Sequence, residues 1–497
     1  MKKQRYLIGS DMLWALVILA GFLFYTSLIP LPPNDYWWHL RVGEAIATGQ
    51  GIPTTNQYSW TVSPEQPFFY AAWLGDVLLY LFHQAGGLEL NIFLRNALAG
   101  LAFWLVGVEA RRRSGSWRMA AMMLAFACLM STNNLIVRPQ IFTWLPFVFF
   151  YTCLSRYTSG QARPNLLLAC PLLMIFWVNL HGSFVLGLGM LGIFLLGEGI
   201  RYMLKQEGCL SKQHLRWLAG ATGASLLAVL VNPRFTAIIG YIKNLLSSQP
   251  VQQLIEEWQS PTPHGVANLV FFGSILLLIL SLAISHARLT PSEILLALAF
   301  LWLAWGSQRS VTWYGMAVMP VLGKVLKAIP IRLPAMPVQR NFLNLFIALL
   351  LVTPVILVQP WFIEQVPLPA TYRAQIKNDP EVGPLLSLHT PIDAARFLQA
   401  HPGGRLFHEL GHGSYLIWAV PEVPVFIDPR IELYTQEIWD DYIHISNGVN
   451  VTMLLEKYAI DRILLDRDIQ PELSRFLQSD PAWQLEYSDQ TTQLWRS

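Results

Sequence analysis

Pro32-Pro33-Asn34-Asp35-Tyr36-Trp37-Trp38-His39-Leu40-Arg41-Val42-Gly43-Glu44 follows directly on an apolar run over residues 6–31. The run is far longer than the ~7–15-residue core of a cleaved signal peptide, and no small-residue cleavage site precedes the prolines. It reads as a retained first membrane span, with Met1-Lys2-Lys3-Gln4-Arg5 holding the N-terminus inside. After the prolines, Asp35 is expected to cap a short helix, with His39 one turn on and facing it. Trp37 and Trp38 would seat that helix in the headgroup layer.

The composition agrees with this junction. Of 497 residues, 54% are apolar and only 13% charged, with 19 Trp, 26 Phe and a mean hydropathy of +0.40. So few charges cannot cover the surface of a soluble chain of this length, which excludes disorder as well. A net charge of +3 gives no reason to expect nucleic acid, so the basic residues are read as topology signals. Cys128, Cys153 and Cys170 sit in apolar runs and Cys209 in a basic loop, so none belongs to a disulfide or metal set.

Further apolar runs begin near residues 89, 118, 141, 165, 183, 216, 267, 291, 312 and 341. The fold class is therefore mainly α, a polytopic membrane helix bundle of about eleven spans with outer interfacial helices, plus a small C-terminal α/β extracytoplasmic domain. Residues 71–84 are assigned to the outer interface, with Asp76, Tyr80 and His83 on one helical face. A crossing there would put Arg111, Arg112, Arg113 and Arg118 outside. With that assignment Lys2, Lys3, Arg5, Arg156, Arg163, Arg201, Lys205, Lys212, Arg216, Arg288, Lys324, Lys327, Arg332 and Arg340 also fall inside. Arg41, Arg95, Arg138, Arg234, Lys243 and Arg309 remain outside. The expected division is residues 1–360 for the membrane body, with its first outer loop at 32–88, and 361–497 for the outer domain. In that domain residues 392–400 and 451–457 read as helices, and 405–407, 425–427 and 462–465 as strands.

Several stretches together carry a resemblance. They are Asp-Tyr-Trp-Trp-His-Leu from Asp35, Gly-Gln-Gly-Ile-Pro-Thr-Thr-Asn-Gln-Tyr-Ser-Trp-Thr from Gly49, and Trp73-Leu74-Gly75-Asp76. Further along are Trp177-Val178-Asn179-Leu180-His181-Gly182, Asn232-Pro233-Arg234, Glu257-Trp258-Gln259-Ser260-Pro261 and Val425-Phe426-Ile427-Asp428-Pro429-Arg430. The chain resembles, nearly end to end, the bacterial integral-membrane glycosyltransferases of the GT-C superfamily, in a subgroup without an assigned substrate. The resemblance implies a polyprenyl-phosphate-linked sugar donor, an acceptor that is a glycan, lipid or protein, and transfer on the outer face of a bacterial plasma (inner) membrane. It also places a catalytic acid in the first outer loop, where Asp35 stands. Many members carry two adjacent acids where this chain has Asn34-Asp35. No metal ligand is therefore assigned and no cofactor is certain, with a divalent metal, Mg or Mn, left open.

Residue chemistry fits that picture independently. A phosphate leaving group calls for outer cations that stabilise developing negative charge, and Arg95, Arg138 and Arg309 stand at outer ends of spans. His181 closes an apolar run and should emerge in the same cavity, suited to acceptor binding or proton transfer. The candidate catalytic residues are Asp35 and His39; the candidate substrate-binding residues are Arg95, Arg138, His181, Arg309, Trp38, Glu44 and Asp76. Glu256 and Glu257 belong to a long outer loop from which either could face the pocket. In the outer domain, Gly411 and Gly413 favour a turn around His412, so His408, His412 and Asp428 are not read as a metal set. Asp428 and Arg430 are expected to cover the cavity or brace the domain. Two other classes share the hydropathy, a lipid-linked glycan flippase or transporter and a non-catalytic scaffold with an outer binding domain. A transporter would place charged or broken helices at mid-membrane.

Overall fold

The structure is a computed structural model that describes residues 9–247, 255–330 and 341–497. Lys2, Lys3, Arg5, Arg332 and Arg340, used above for orientation, lie outside the described residues. The first apolar run forms α1 (Ser10–Ser27), the aromatic loop after it forms α2 (Asp35–Ala47), and α3 is Trp73–Ser114. Next come α4 (Trp117–Met130), α5 (Trp144–Thr158), α6 (Ala169–Leu180), α7 (Phe184–Met203), α8 (Lys212–Ala228) and α9 (Ala237–Ser247). The bundle closes with α10 (Val266–Ile284), α11 (Pro291–Gly306), α12 (Val311–Lys327) and α13 (Asn341–Leu357).

Every apolar run read from the sequence thus carries a helix. Among them α1, α3, α7 and α10 are long and apolar enough to cross a membrane. Large apolar side chains stand bare on the bundle's flanks, including Leu276 at 63%, Leu280 at 63% and Trp302 at 80% exposure. Water would penalise such a surface, whereas lipid tails solvate it, so the chain is a multi-pass membrane protein.

Of residues 71–84, those from Trp73 on are continuous with the second span inside α3, but the backbone leaves helical geometry at Gly86 and Gly87. This break separates a first segment, packed across α2, from the long run that ends in Arg111-Arg112-Arg113. Asp76, Tyr80 and His83 all face α2, as their spacing requires: Asp76 meets His39, Tyr80 lies against Gly43, and Tyr36 Oη bonds His83 Nδ1 at 3.0 Å.

Three spans stop early. After α4 the chain runs irregularly through residues 131–143, after α6 through 181–183, and after α11 through 307–310. Inside a bilayer, non-helical backbone is tolerated only where protein or a water-filled cavity surrounds it. These interruptions carry Arg138, His181 and Arg309.

The C-terminal segment holds a hairpin of β1 (Ile376–Asp379) and β2 (Gly383–Ser387). A four-stranded sheet follows, built from β3 (Leu406–His408), β4 (Arg462–Asp466), β5 (Gln484–Ser488) and β6 (Thr492–Arg496) in the order β3-β4-β6-β5. Only β3 and β4 pair in parallel. Helices fall at Ile392–Ala400 and Val451–Lys457 as the pattern predicts, and β3 and β4 match two of the expected strands. Two expectations fail. Residues 425–427 are not a sheet strand: they are buried under the first outer loop, and Val425 makes one isolated bridge to Ser59. Around His412 the chain is a helix, Leu410–Ala419, whose N-terminus Glu409 caps by accepting from His412 N at 3.0 Å. Gly413 is there because a Cβ would stand 2.3 Å from Ile427 O, so close packing rather than a turn demands it.

The first outer loop is stitched to this segment. Leu31 N donates to Leu385 O at 2.7 Å, Trp60 N to Val425 O at 3.0 Å, and Val425 N to Tyr58 O at 2.9 Å. Asp428 and Arg430 form a fully buried pair, and Arg430 also donates to Tyr70 Oη at 2.9 Å. The pair braces the two parts against each other. A buried charge of this kind holds only when every lone pair and proton is met, and Tyr434 Oη adds a further bond to Asp428.

Candidate active site

Asn34 takes the N-cap position of α2, so Asp35 is its first helical residue and does not cap. That leaves the half-buried Asp35 carboxylate free to face Arg138, whose Nη1 donates to Oδ2 at 3.1 Å. His39 turns away from Asp35. Its Nδ1 lies 2.6 Å from Oδ1 of the buried Asp76, and its ring stacks on Trp38 at 3.7 Å. Two glycines permit this meeting of elements. A Cβ on Gly43 would stand 2.2 Å from Asp76 O, and one on Gly75 would stand 2.7 Å from Pro139 Cβ and 2.9 Å from Leu180 O. Only hydrogen fits at either place. Because it does, the first segment of α3 touches α2, the irregular chain bearing Arg138 and the end of α6 bearing His181.

Arg138 is the hub. Its Nη2 donates to Glu257 Oε2 at 2.9 Å and to Asn134 Oδ1 at 2.8 Å, while Nη1 serves Asp35. Burial disfavours its charge, but Glu257 and Asp35 outweigh burial and hold the guanidinium above its ordinary pKa. Burial likewise opposes the Glu257 carboxylate, and Arg138 with Arg309 brings it below the usual range. The segment around Glu257 is tied to the chain after α11, with Ser307 Oγ donating to Glu257 O at 2.9 Å and Gln308 N to Gln259 O at 2.9 Å.

Arg309 is near them in a different state. Its guanidinium covers the Trp258 ring at 4.7 Å and donates through Nη2 to Gln140 Oε1 at 3.3 Å. Among the described residues no carboxylate lies within ion-pair distance of it. Burial, reinforced by the like charge of Arg138, pulls it below its ordinary pKa. His181 stands in the same field: burial first, then Arg309 and Arg138, holds it well below the usual imidazole value, so it is neutral at physiological pH. Its Nδ1 accepts from Ser183 N at 3.1 Å.

The structure thus gathers Asp35, Arg138, His181 and Arg309 into one neighbourhood: Arg138 bonds Asp35, His181 feels the charge of Arg309 and Arg138, and the His39–Asp76 pair with Trp38 lies alongside. Arg95 goes elsewhere. It is 1% exposed and donates to the Thr26 and Leu135 carbonyls and to Asn96 Oδ1, clasping α1 and the chain after α4. Glu44 pairs with Arg41 at 2.6 Å along α2. Asn134, Gln140, Trp258, Tyr241 and Glu432 were not singled out from the sequence. Tyr241 stacks on Phe69 at 4.8 Å and donates to Glu432 Oε1 at 3.4 Å. Polar residues beside Pro139 or the Glu257–Trp258 pair were the only signals that could have pointed there.

The donor set around Asp35 does not fit a divalent cation. The charge between Asp35 and Glu257 is a guanidinium, and among the described residues no third His, Cys, Asp or Glu joins them in a ligand cluster. His408 and His412, both fully buried, are held low by burial, at about 4 and about 3. His408 Nδ1 donates to Glu409 O at 2.8 Å while Nε2 accepts from Phe426 N at 2.9 Å, so both ring nitrogens serve the fold.

No protein-family model and no curated protein matches the chain. Solved structures do. The archaeal oligosaccharyltransferase AglB from Archaeoglobus fulgidus, in complex with an inhibitory peptide and a dolichol-phosphate, aligns over 92% of this chain and 69% of its own, with a TM-score of 0.54 and 12% identity. The arabinofuranosyltransferase AftD from Mycobacteria aligns over 99% of this chain and 42% of its own, with a TM-score of 0.56 and 14% identity. ArnT from Cupriavidus metallidurans in the apo state aligns over 97% and 96%, with a TM-score of 0.50 and 14% identity. The chain has the fold of the GT-C glycosyltransferases.

Proposed function

We propose that the chain is a membrane glycosyltransferase. It moves a sugar from a polyprenyl-phosphate donor to an acceptor hydroxyl on the extracytoplasmic face of a bacterial inner membrane, with its N-terminus cytoplasmic. Residues 1–360 form the catalytic membrane body, and residues 361–497 an extracytoplasmic domain that roofs the first outer loop. The observation that carries this reading is Arg309, a cation beside the Asp35–Arg138–Glu257 set with no carboxylate within ion-pair distance among the described residues. A half-buried guanidinium with no direct ion pair is placed to receive an external anion, and its planar fork suits a phosphate.

The lipid fits as well. An apolar groove of ≈ 590 Å³ lies between α7 and α11, lined by Gly189, Ile193, Leu196, Leu298 and Trp302. These two helices border His181 and Arg309 at their ends, so a tail in the groove would bring its phosphate toward the cations. AglB, which shares the fold, was solved with a dolichol-phosphate.

In the reaction the Asp35 carboxylate takes the proton of the acceptor hydroxyl as its oxygen attacks the anomeric carbon. The bond from that carbon to the phosphate oxygen breaks, and the electron pair leaves on the phosphate held by Arg309 with Arg138. His39, fixed by Asp76 and Trp38, shapes the acceptor side, and neutral His181 offers a hydrogen bond without adding charge. One displacement inverts the anomeric centre. The test is incubation of the purified protein with a panel of polyprenyl-phosphate sugars and simple acceptors, following released lipid phosphate and product configuration. Release with inversion supports the reading; a retained configuration, or turnover with no dependence on any lipid-linked sugar, overturns it.

A further inference from the structure

A second polar cavity, of ≈ 680 Å³, opens at the far end of the bundle. Its wall includes Arg113 at the end of α3, Arg201 at the end of α7, Glu293 at the start of α11 and Lys324 near the end of α12. The Asp35–Arg138 cluster lies past the opposite ends of these helices. Along α11 alone, Glu293 and Gly306 are separated by about 20 Å of helix, and Arg309 follows Gly306. The cavity and the Asp35 cluster are therefore distinct.

The charges in this wall are deeply placed. The side chains of Arg113 and Arg201 are 7% and 9% exposed, and that of Lys324 31%. Internal acids meet part of their charge. Arg113 pairs with Glu109 and Glu293, Lys324 with Glu293 at 2.6 Å, and Arg201 with Glu198 at 2.8 Å. The charges do not balance, because the three carboxylates Glu109, Glu198 and Glu293 face four cations, Arg112 sharing Glu109 with Arg113, and Arg201 Nε is buried with no hydrogen-bond partner. What remains unmet is donor capacity and positive charge, which is the complement of an anion. Two more features face the same space. α8 begins here, with Ser211 at its N-cap and His214 in its first turn, so a helix N-terminus adds positive potential. Ser159 and Thr158 add hydroxyls.

We propose that this cavity binds a phosphate-bearing anion, through Arg201, Lys324 and the start of α8. The volume exceeds that of bare phosphate and accepts the headgroup of an anionic phospholipid or a small soluble phosphate ester. The site is independent of the transfer reaction.

The test uses the full-length protein in nanodiscs of phosphatidylcholine with or without phosphatidylglycerol, and in detergent with or without inorganic phosphate. Thermal stability and native mass spectrometry of retained lipid are the readouts. Stabilisation and a retained phosphatidylglycerol adduct identify the lipid headgroup as the source, and stabilisation by inorganic phosphate alone identifies a soluble ester. Either is expected to weaken by about tenfold in Lys324→Gln, which removes one charged contact. Arg201→Gln should weaken it further. Should that variant fail to fold, Lys324→Gln still reports, being half-exposed and paired only at its tip. No stabilisation by either anion, or binding unchanged in Lys324→Gln, overturns the proposal.

Discussion

Asp35 and Arg309 illustrate two uses of charge in a membrane body. Asp35 is met by Arg138, which also serves Glu257, so its carboxylate is held in one direction rather than left to rotate. Removing its negative charge while keeping its shape is expected to lower kcat by about 10²–10⁴-fold, the range for loss of a positioned base. Arg309 has no carboxylate within ion-pair distance among the described residues, so its value should show on the donor. Arg309→Lys keeps the charge but loses the planar fork and the face-on contact with Trp258, and the donor KM should rise by about tenfold. Arg95 provides the contrast. Its guanidinium is spent on the Thr26 and Leu135 carbonyls, so Arg95→Met should cost ~1–3 kcal/mol of stability through unmet buried acceptors. Melting of the purified variant would fall while the donor KM of the folded fraction stays unchanged.

Among elements, the junction of α2 with the first segment of α3 sets the site. Their contact depends on Gly43, where any Cβ meets the Asp76 carbonyl. Gly43→Ala should separate the two helices, cost ~1–3 kcal/mol by overpacking, and lower kcat because His39 and Asp76 move with them. A melting curve with steady-state kinetics checks both parts. A melting temperature and kcat equal to wild type would show that the neighbours yield freely. This junction was partly legible in the sequence. The period of Asp76, Tyr80 and His83 marks one helical face, and the aromatic pair after Pro33 marks an interface. The pairing of His39 with Asp76 rather than with Asp35 was not legible, because residues one turn apart on a helix are local neighbours, whereas the winning partner comes from a helix 37 residues away. The early ends of α4, α6 and α11 were likewise visible only as short apolar runs. Their meaning came from where the irregular chain between them converges.

For the whole molecule, the bundle was readable because lipid imposes one strong rule, apolar helices with charges sorted to their ends, which survives in the order of residues. The C-terminal segment obeys weaker local rules. Its helix at 392–400 and strands β3 and β4 were visible as short patterns, but β5 and β6 alternate too weakly to stand out, and residues 425–427 are buried by another part of the chain rather than by a sheet. That segment gives the molecule a pH response. His408 and His412 are held at about 4 and about 3 by burial, below the ~6.5 of an unfolded imidazole. Between those limits the unfolded chain binds protons that the folded chain refuses, so stability is full above pH ~6.5 and falls as pH drops through ~6 to ~4. The melting temperature should therefore decrease over that window, and His408→Asn should flatten the decrease. A melting temperature that rises on acidification would have the sign wrong.

In the proposed reaction Asp35 removes the acceptor proton while Arg309 takes the phosphate. The most direct measurement compares wild type with Asp35→Asn, reconstituted at equal level with a polyprenyl-phosphate sugar that the wild type turns over, and records both transfer and donor binding. Loss of transfer by about 10²-fold or more with the donor still bound is the predicted result. Full transfer by Asp35→Asn would contradict it.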